Sequence, residues 1–294
     1  MRQTDALGRA TFHYIAPRPG VIPTERELRW LKHIERHGPT SSRLLFEVTR
    51  DTHRCRDTAL RAMKKLRAGG FLHLPRQQRQ TAKADFAPFI YDLTRKALDY
   101  LKTLDLAEAT MRPTGHWWHA YRAASFTGSL EVAASREGIT YIPCHQILAL
   151  QNAELAIPLR RGKLIPDQLF ALKYPGGYRA CLLEIDRSTE PVTSPAARKS
   201  LGRAVEQYRE VFETGKLGKH YGLKANALVL WVFESAAREE RFQNQIQERA
   251  GIAENRFFTR VWPVSGIATD GGCSWQAGAW RGAKVSLSLI SAPL

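Results

Sequence analysis

Apolar positions recur at helical spacing in two segments near the start of the chain. The first segment begins at Thr24, which together with Glu27 has the spacing of a capping box, and it ends at Gly38. A second, shorter segment follows Thr40 and Ser41, whose hydroxyls can cap it. The pattern therefore predicts two successive helices. Their repeating apolar residues are Leu28, Leu31, Ile34, Leu44, Leu45 and Val48.

A third helical pattern is followed by the pattern of a β-hairpin. The helix is predicted to begin near residues 52–53 and to end at Gly69. A strand is expected at 71–74 and a return strand at 89–93, with a polar loop between them. Thr94 can then cap a closing helix. The apolar stripe of the third helix consists of Leu60, Met63 and Leu66.

Three helices followed by a strand, a loop and a strand form the element order of a winged helix-turn-helix. Lys and Arg outnumber Asp and Glu by 44 to 28 over 294 residues, and the formal net charge is +16. Residues 1–110 contain 21 of the basic and 12 of the acidic residues, so positive charge is densest there. Such a field attracts polyanions, because neutralised phosphates release counterions. Residues 24–110 are therefore predicted to be a winged helix-turn-helix domain that binds double-stranded DNA.

Residues of the third helix and of the hairpin loop are the candidate DNA contacts. A helix about 10–12 Å across fits a major groove about 12 Å wide, and the loop can reach the adjacent backbone. Two alternatives stay open: a winged helix used for protein contacts, and a helical domain whose charges are merely solvated. The candidate contacts are Arg54, Arg56, Thr58, Arg61, Lys64 and Lys65 on the helix, and Arg76, Arg79 and Lys83 on the loop.

The cysteines and the N-terminal segment bear on the compartment. Residues 1–23 contain two closely spaced prolines and no apolar signal-peptide core, which predicts an arm or linker. No run approaches the roughly 20 apolar residues of a membrane span. We therefore expect a soluble, cytoplasmic protein. The cysteines form no CxxC pair, which favours a reducing compartment; they are Cys55, Cys144, Cys181 and Cys273.

The second half of the chain alternates helical and strand-like patterns. A helix is predicted at 118–136, a strand-like stretch at 139–151, and a hairpin centred on the turn 175–177. A helix opening at Pro195, a buried strand at 227–235, a polar helix and a further strand follow. This order implies a mixed sheet with helices on its faces.

Three carboxylates are expected to converge on the predicted hairpin. Glu184 and Asp186 are two residues apart on its second strand, so their side chains point to one face. Asp167 lies near the start of the first strand, and the hairpin can bring it close to Glu184. Clustered carboxylates repel one another unless cations offset them, and oxygen ligands suit Mg²⁺ or Mn²⁺. A metal-bound water is a usable nucleophile on phosphodiesters.

These residues carry a resemblance to known families. Pro166-Asp167 followed by Glu184-Ile185-Asp186 on a hairpin resembles the PD-(D/E)xK nuclease core. The fuller pattern, LIPDQLFAL, then LLEIDRSTE, then a Lys-bearing helix with Gln207-Tyr208, after a winged helix, looks like the replication-relaxation family. The resemblance implies an α+β chain, with residues 111–294 forming a mixed-sheet domain like that of restriction endonucleases. It also implies a DNA-binding protein of plasmid or phage type.

Site residues follow from this resemblance by motif position. It implies metal binding by Asp167 and Glu184, with a carbonyl from Ile185 and with Glu131 as an upstream acidic helper. Asp186 is a candidate further ligand, but it stands where a working nuclease has lysine. Candidate replacements for that ammonium are Lys199, with Arg203 and Gln207 on the same predicted helix face at spacings of four, and Lys173, which shares strand parity with Asp167.

Two functions of different classes follow. The preferred hypothesis is a DNA-binding transcription regulator or an accessory factor in replication or mobilisation, with a degenerate nuclease-like domain and no cofactor. In this hypothesis the nuclease-like domain supplies backbone contacts, homodimerisation, or docking of replication, mobilisation or transcription proteins. The alternative is an endonuclease or nickase that requires Mg²⁺ or Mn²⁺. The missing motif lysine favours the first hypothesis.

Overall fold

The computed structural model describes residues 15–53, 55–80, 89–108, 116–186, 192, 200–224, 227–263 and 272–290. The chain divides into two compact units, Met1–Gly128 and Ser129–Leu294, and the division falls within a long helix, Trp117–Arg136. The domain boundaries expected from the sequence, at 23/24 and 110/111, stay predictions.

The first unit contains the helices that the capping signals predicted. Thr24 and Glu27 form a complete capping box at the start of the first helix, and Gly38 ends it. The hydroxyl of Ser41 accepts from Leu44 N–H at the second helix, and that of Thr94 accepts from Ala97 N–H at the fourth. The helices are α1 Glu25–His37, α2 Ser42–Val48, α3 Arg56–Ala68 and α4 Arg95–Thr103.

The third helix begins later than its pattern predicted. It starts at Arg56 rather than near residues 52–53, because Thr52 and His53 instead close a turn by donating their N–H groups to the carbonyl of Thr49. The imidazole Nδ1 of His53 also lies 2.9 Å from the Thr49 hydroxyl. Local hydrogen bonds of this kind compete with helix propagation.

A three-stranded antiparallel sheet completes this unit. Its strands are short, and the third strand in sequence lies between the first and the second. Gln78 joins the ends of the hairpin, because its buried amide both donates to the carbonyl of Ile90 and accepts from the N–H of Ile90. The strand at 40–41 was not predicted, since two residues show no period. The strands are β1 Thr40–Ser41, β2 Leu72–His73 and β3 Ile90–Leu93, and Arg76–Gln80 is a 3-10 helix between β2 and β3.

One face of α3 is held against the core of the first unit. Ala59, Met63 and Leu66 are fully buried, in the same cluster as Trp30 and Leu31 of α1. Truncating Met63, Leu66 or Leu31 to alanine would leave a cavity, typically at a cost of about 2–5 kcal/mol. The core therefore fixes which face of α3 meets solvent.

The second unit is built on the predicted mixed sheet. Seven strands lie in the order β12-β11-β10-β9-β8-β7-β4, in which β8, β9 and β10 are parallel and the other pairs are antiparallel. Its strands are β4 Thr140–Ile142, β7 Gln168–Tyr174, β8 Gly177–Ile185, β9 Leu228–Phe233, β10 Phe257–Val261, β11 Trp280–Gly282 and β12 Ser286–Leu287. A separate small hairpin is formed by β5 Ile157–Pro158 and β6 Lys163–Leu164.

Helices alternate with these strands as the sequence implied. Two helices, α7 (Leu201–Glu213) and α9 (Ala236–Arg249), share a buried core with β7, β8 and β9. Tyr208, Phe242 and Trp231 belong to this core. The helices are α5 Trp117–Arg136, α6 Cys144–Ala149, α7 Leu201–Glu213, α8 Lys216–Tyr221, α9 Ala236–Arg249 and α10 Gly272–Gln276, and Gly251–Arg256 is a 3-10 helix.

Two segments of this unit differ from expectation. The stretch 139–151 is a strand only as far as Ile142, because Pro143 occupies the N-cap of α6 with a φ of −75° and the chain continues as a helix. The end of the chain, for which the sequence suggested no structure, contributes β11 and β12 to the edge of the sheet. Among the described residues, no helix is long and apolar enough to span a bilayer.

Candidate functional site

The exposed face of α3 carries three basic side chains and one acidic side chain, that of Asp57. Arg56, Thr58, Arg61 and Lys64 are exposed, whereas the opposite face of the helix is buried. Arg61 and Lys64 are three residues apart and are therefore neighbours on the helix surface. Thr58 donates its hydroxyl hydrogen to the carbonyl of Cys55 at 2.7 Å, which stabilises the first turn. Four of the predicted DNA contacts thus share one solvent-facing surface.

Lys65 has a different environment from these four residues. It is half-buried, and its Nζ lies 2.6 Å from Oε1 of the buried Glu27 in α1. Arg67 is also half-buried, and burial lowers its pKa. The cations of α3 therefore divide into an exposed set and a set that contributes to the packing of the first unit.

The basic loop is only partly described. Arg76 is exposed and begins the 3-10 helix that follows β2. Arg54, Lys83 and the side chain of Arg79 lie outside the described residues. Gln78, which looked like an ordinary loop residue in the sequence, is buried and holds β3 instead.

Asp167 and Glu184 come together at the base of the β7–β8 hairpin. Gln168 pairs with Leu183, and continuing this register by one residue places Asp167 opposite Glu184. Oδ2 of Asp167 accepts a 2.7 Å hydrogen bond from the N–H of Ile185. The carboxylate of Asp167 thus binds the backbone of β8 at the point where its pairing with β7 ends. The hairpin register therefore places Asp167 and Glu184 opposite each other, as the sequence predicted.

Tyr208 of α7 binds one of these two carboxylates. Its hydroxyl donates a 2.6 Å hydrogen bond to Oε1 of Glu184, which is only 6% exposed. Burial raises the pKa of Tyr208 well above its usual value, and the negative charges of Glu184 and Asp167 raise it further. The phenol is therefore a hydrogen-bond donor throughout the neutral range. Glu184 is held by a neutral donor in a buried environment.

Asp186 occupies the motif lysine position and is neutralised by α9. Its carboxylate is 6% exposed and forms a two-pronged ion pair with the guanidinium of Arg238, in which Nη2 lies 2.8 Å from Oδ1. Paired, parallel N–H···O bonds of this type fix both groups. The guanidinium of Arg238 is therefore present at this end of the strand, but it is paired with Asp186.

The other residues assigned by motif lie in several places. Lys173 is exposed, lies opposite Thr140 and Tyr178, and is six residues from Asp167 along β7, a distance of about 20 Å. Ser200 is the N-cap of α7, and Lys199 lies outside the described residues.

Arg203, Gln207 and Glu131 complete the assigned set. Arg203 and Gln207 are partly exposed and line a cleft of about 320 Å³ along α7. Glu131 is partly exposed on the part of α5 that belongs to the second unit.

Sequence reasoning did not identify the partners of the acidic residues. Arg238 is one of several charged residues in a polar helix, and nothing in its spacing indicates an ion pair across 52 residues. Tyr208 could have been found, because it is the one aromatic residue with a polar group in the apolar stripe of α7, and the strand it faces carries Glu184.

Comparison with known proteins gives one result. No curated protein and no solved structure matches the chain. A family model described as replication-relaxation matches residues 31–227, about two thirds of the chain. The matched segment contains α3 and the hairpin that carries Asp167 and Glu184. The chain therefore belongs to the replication-relaxation family.

Proposed function

We propose that this protein binds duplex DNA as an accessory factor or regulator in the replication or mobilisation of a mobile element. In this proposal the first unit is a winged helix-turn-helix whose α3 enters the major groove. Family membership supports an association with replication and mobilisation. The replication, mobilisation or transcription proteins with which it acts are the partners that this role requires.

The exposed cationic face of α3 is the observation that carries the proposal. The helix has 13 residues and is about 20 Å long, which suits a major groove about 12 Å wide. Arg56, Arg61 and Lys64 lie on the side that packing leaves free, and no ion pair links them to another described residue. Long, unpaired cations on a rigid helix are suited to contacts with base edges and phosphates.

Binding of labelled duplex DNA across a salt series tests this function. For the wild-type protein, log K is expected to fall linearly with log salt, with a slope of about −0.9 per phosphate contact. An Arg61→Ala/Lys64→Ala variant is expected to lose at least about tenfold in affinity and about two units of slope if both residues contact phosphates.

A matched control removes the same charge from another helix of the same unit. Arg95 and Lys102 are exposed on α4, so an Arg95→Ala/Lys102→Ala variant should retain the slope to within about one unit. Equal losses in the two variants would mean that only net charge matters. Salt-independent or undetectable binding by the wild-type protein would contradict the proposal.

A second candidate function is DNA cleavage that depends on Mg²⁺ or Mn²⁺. The observation that favours it is the hairpin register, which places Asp167 opposite Glu184. Two carboxylates supply the oxygen ligands that hard divalent ions prefer, so the donor set fits such a metal, with Ile185 as the further ligand implied by its motif position. The metal would supply an activated water. The ion pair between Asp186 and Arg238 counts against this function, because no free ammonium stands at the motif position.

Incubation of the purified protein with supercoiled plasmid and either metal distinguishes the two functions. Nicked or linear product that disappears in Asp167→Asn and Glu184→Gln variants would establish cleavage. We expect no product from the wild-type protein under conditions in which it binds DNA. Circular dichroism of both variants would check that the hairpin still folds.

A further inference from the structure

The small hairpin β5–β6 presents two arginines at its tip. Leu159 N–H donates to the carbonyl of Gly162 at 3.1 Å, which closes a tight turn with Arg160 and Arg161 as its two central residues. Gly162 has a φ of +79°, a conformation that favours glycine. Arg160, Arg161 and the following Lys163 are all exposed. The turn therefore projects a cluster of cations into solvent.

The tip is fixed to the body of the second unit through its backbone. The N–H of Arg160 donates a 2.8 Å hydrogen bond to Oε1 of Glu210, and Nζ of Lys216 donates to the carbonyl of Pro158 at 2.6 Å. Lys216 also pairs with Glu210 at 3.0 Å. At the base of the hairpin, Ile157 and Leu164 are buried in the core. These bonds fix the main chain of the hairpin and do not involve the guanidinium groups of Arg160 and Arg161.

The hairpin tip borders the cleft along α7. Arg160 and Arg161 line this cleft together with Arg203 and Gln207. Three glutamates also line it, but each is already paired with a cation of the second unit. The pairs are Glu206 with Arg249, Glu210 with Lys216, and Glu213 with Arg209.

The charge of the tip is therefore only partly balanced locally, because the charge of Arg160 acts on Glu210. Neither the guanidinium of Arg160 nor that of Arg161 forms an ion pair or hydrogen bond with any residue that the structure describes. Burial alone would raise the pKa of Glu210, but the hydrogen bonds from Arg160 N–H and Lys216, together with the positive charges of Lys216 and Arg160, lower it, so that this glutamate stays ionised as an anchor of the hairpin. Exposed guanidinium groups that make no hydrogen bond with a described residue and stand on a fixed turn are suited to a bidentate anion such as phosphate.

We propose that the β5–β6 tip and the adjoining cleft form a second phosphate-binding surface, which contacts the sugar–phosphate backbone of DNA. This inference rests on the proposed DNA-binding function and assigns part of the binding to the second unit. The surface has the chemistry of a backbone contact, because it offers arginine forks and an amide side chain. Its role is to add affinity and fix orientation, while α3 selects the sequence.

The test compares four double variants of the full-length protein on the same labelled duplex. Arg160→Ala/Arg161→Ala is expected to weaken binding about tenfold and to reduce the salt slope by about two units. Lys224→Ala/Arg241→Ala removes two other exposed cations from the second unit and should leave the slope within about one unit of wild type. Because the hairpin is anchored by backbone bonds, the tip variant should keep the wild-type unfolding midpoint.

The third variant separates this inference from the proposed function. If Arg61→Ala/Lys64→Ala loses affinity while the tip variant behaves like its control, the second surface does not exist and the role of α3 stands. If the wild-type protein binds no DNA, the proposed function itself fails. Loss of binding to labelled polyglutamate by the tip variant, with unchanged DNA binding, would overturn the inference in favour of an acidic protein partner. Intermediate affinity of Arg160→Lys/Arg161→Lys would support recognition by the guanidinium fork.

Discussion

Glu27 lies between two helices and uses a different carboxylate oxygen for each. Its Oε2 accepts a 2.8 Å hydrogen bond from the N–H of Thr24 and completes the capping box of α1. Its Oε1 lies 2.6 Å from Nζ of Lys65 in α3. One buried side chain therefore sets the start of α1 and holds the helix that we propose enters the DNA groove.

Substitutions at Glu27 should separate these two roles. Glu27→Gln retains the capping box but loses the ion pair, and since Lys65 is partly exposed we expect a loss of only about 1 kcal/mol. Glu27→Ala loses both interactions, and we expect a loss of about 2–3 kcal/mol. Urea unfolding measures the difference. As a control, Glu25→Ala, at an exposed position of the same turn, should change the free energy of unfolding by less than about 0.5 kcal/mol. Equal losses for Glu27→Gln and Glu27→Ala would refute the capping role of Glu27.

The pair of Asp186 and Arg238 should behave as a buried ion pair. Arg238→Met leaves a buried carboxylate without its guanidinium, and the expected destabilisation is about 3–5 kcal/mol. Adding Asp186→Leu to this variant should recover much of the loss, because the uncompensated charge is removed. A thermal or urea unfolding cycle of the two single variants and the double variant gives the coupling energy.

An exposed pair provides the comparison for that cycle. Arg281 and Glu240 are each about half exposed and lie 2.6 Å apart. Their coupling energy should be no more than about 1 kcal/mol. If the Asp186–Arg238 coupling energy is equally small, this pair does not behave as a buried ion pair, and Arg238 is not required to neutralise Asp186.

His53 should make the first unit less stable in acid. Its ring stacks on Trp30 with a centroid distance of 5.1 Å, and burial, followed by the charge of Arg26, lowers its pKa. As pH falls below about 6.5, the unfolded chain binds a proton before the folded chain does. The contribution of His53 to the free energy of unfolding is therefore fully present above that pH. It decreases as the pH falls towards the folded-state pKa, by no more than about 1.4 kcal/mol per pH unit.

Thermal unfolding at several pH values measures this dependence. His53→Gln should flatten the decrease below about pH 6.5. His73→Gln, which changes an exposed histidine of the same unit, should leave it unchanged. A wild-type protein whose stability rises on acidification through this range would contradict the assigned sign.

Cys55 should be the cysteine that reacts first among those whose pKa values are shifted. It is exposed at the N-cap of α3, where the hydrogen bonds at Thr58 lower its pKa. Burial raises the pKa of both Cys144 and Cys181 to about 12. Since the thiolate is the nucleophile, alkylation at about pH 7.5 should modify Cys55 well before these two.

The same reaction reports on the DNA interface. Peptide mapping by mass spectrometry identifies the alkylated cysteine, and a saturating duplex should slow modification of Cys55 several-fold, because α3 begins beside it. An unchanged rate with DNA bound would place the start of α3 outside the interface. Cys273, which is partly exposed, serves as the internal reference.

Local signals were sufficient to predict most elements of this fold. Capping residues fix helix starts through bonds to neighbours three residues away, so Thr24 and Thr94 could be read directly. A turn such as Pro175-Gly176 fixes the register of its hairpin, and with it the approach of Asp167 to Glu184. Such interactions lie within a few residues or one hairpin and are therefore visible in the order of the residues.

Failures of prediction occurred where a longer-range or competing local bond decided the structure. Pro143 turned an apolar strand-like run into a helix, and the Thr49 carbonyl delayed the start of α3. The partners of the buried charges came from distant elements: Lys65 for Glu27, Tyr208 for Glu184 and Arg238 for Asp186.

The amino-acid sequence by itself determined the helices, the hairpin, the excess of positive charge and the carboxylates on one strand face, because each depends on periodicity or on short-range bonding. Only the tertiary structure decided which cations of α3 are exposed, that Arg238 neutralises the carboxylate at the motif position, and that Arg160 and Arg161 project from a fixed turn. Burial and long-range pairing depend on which surfaces pack together, and no single segment of the chain specifies that.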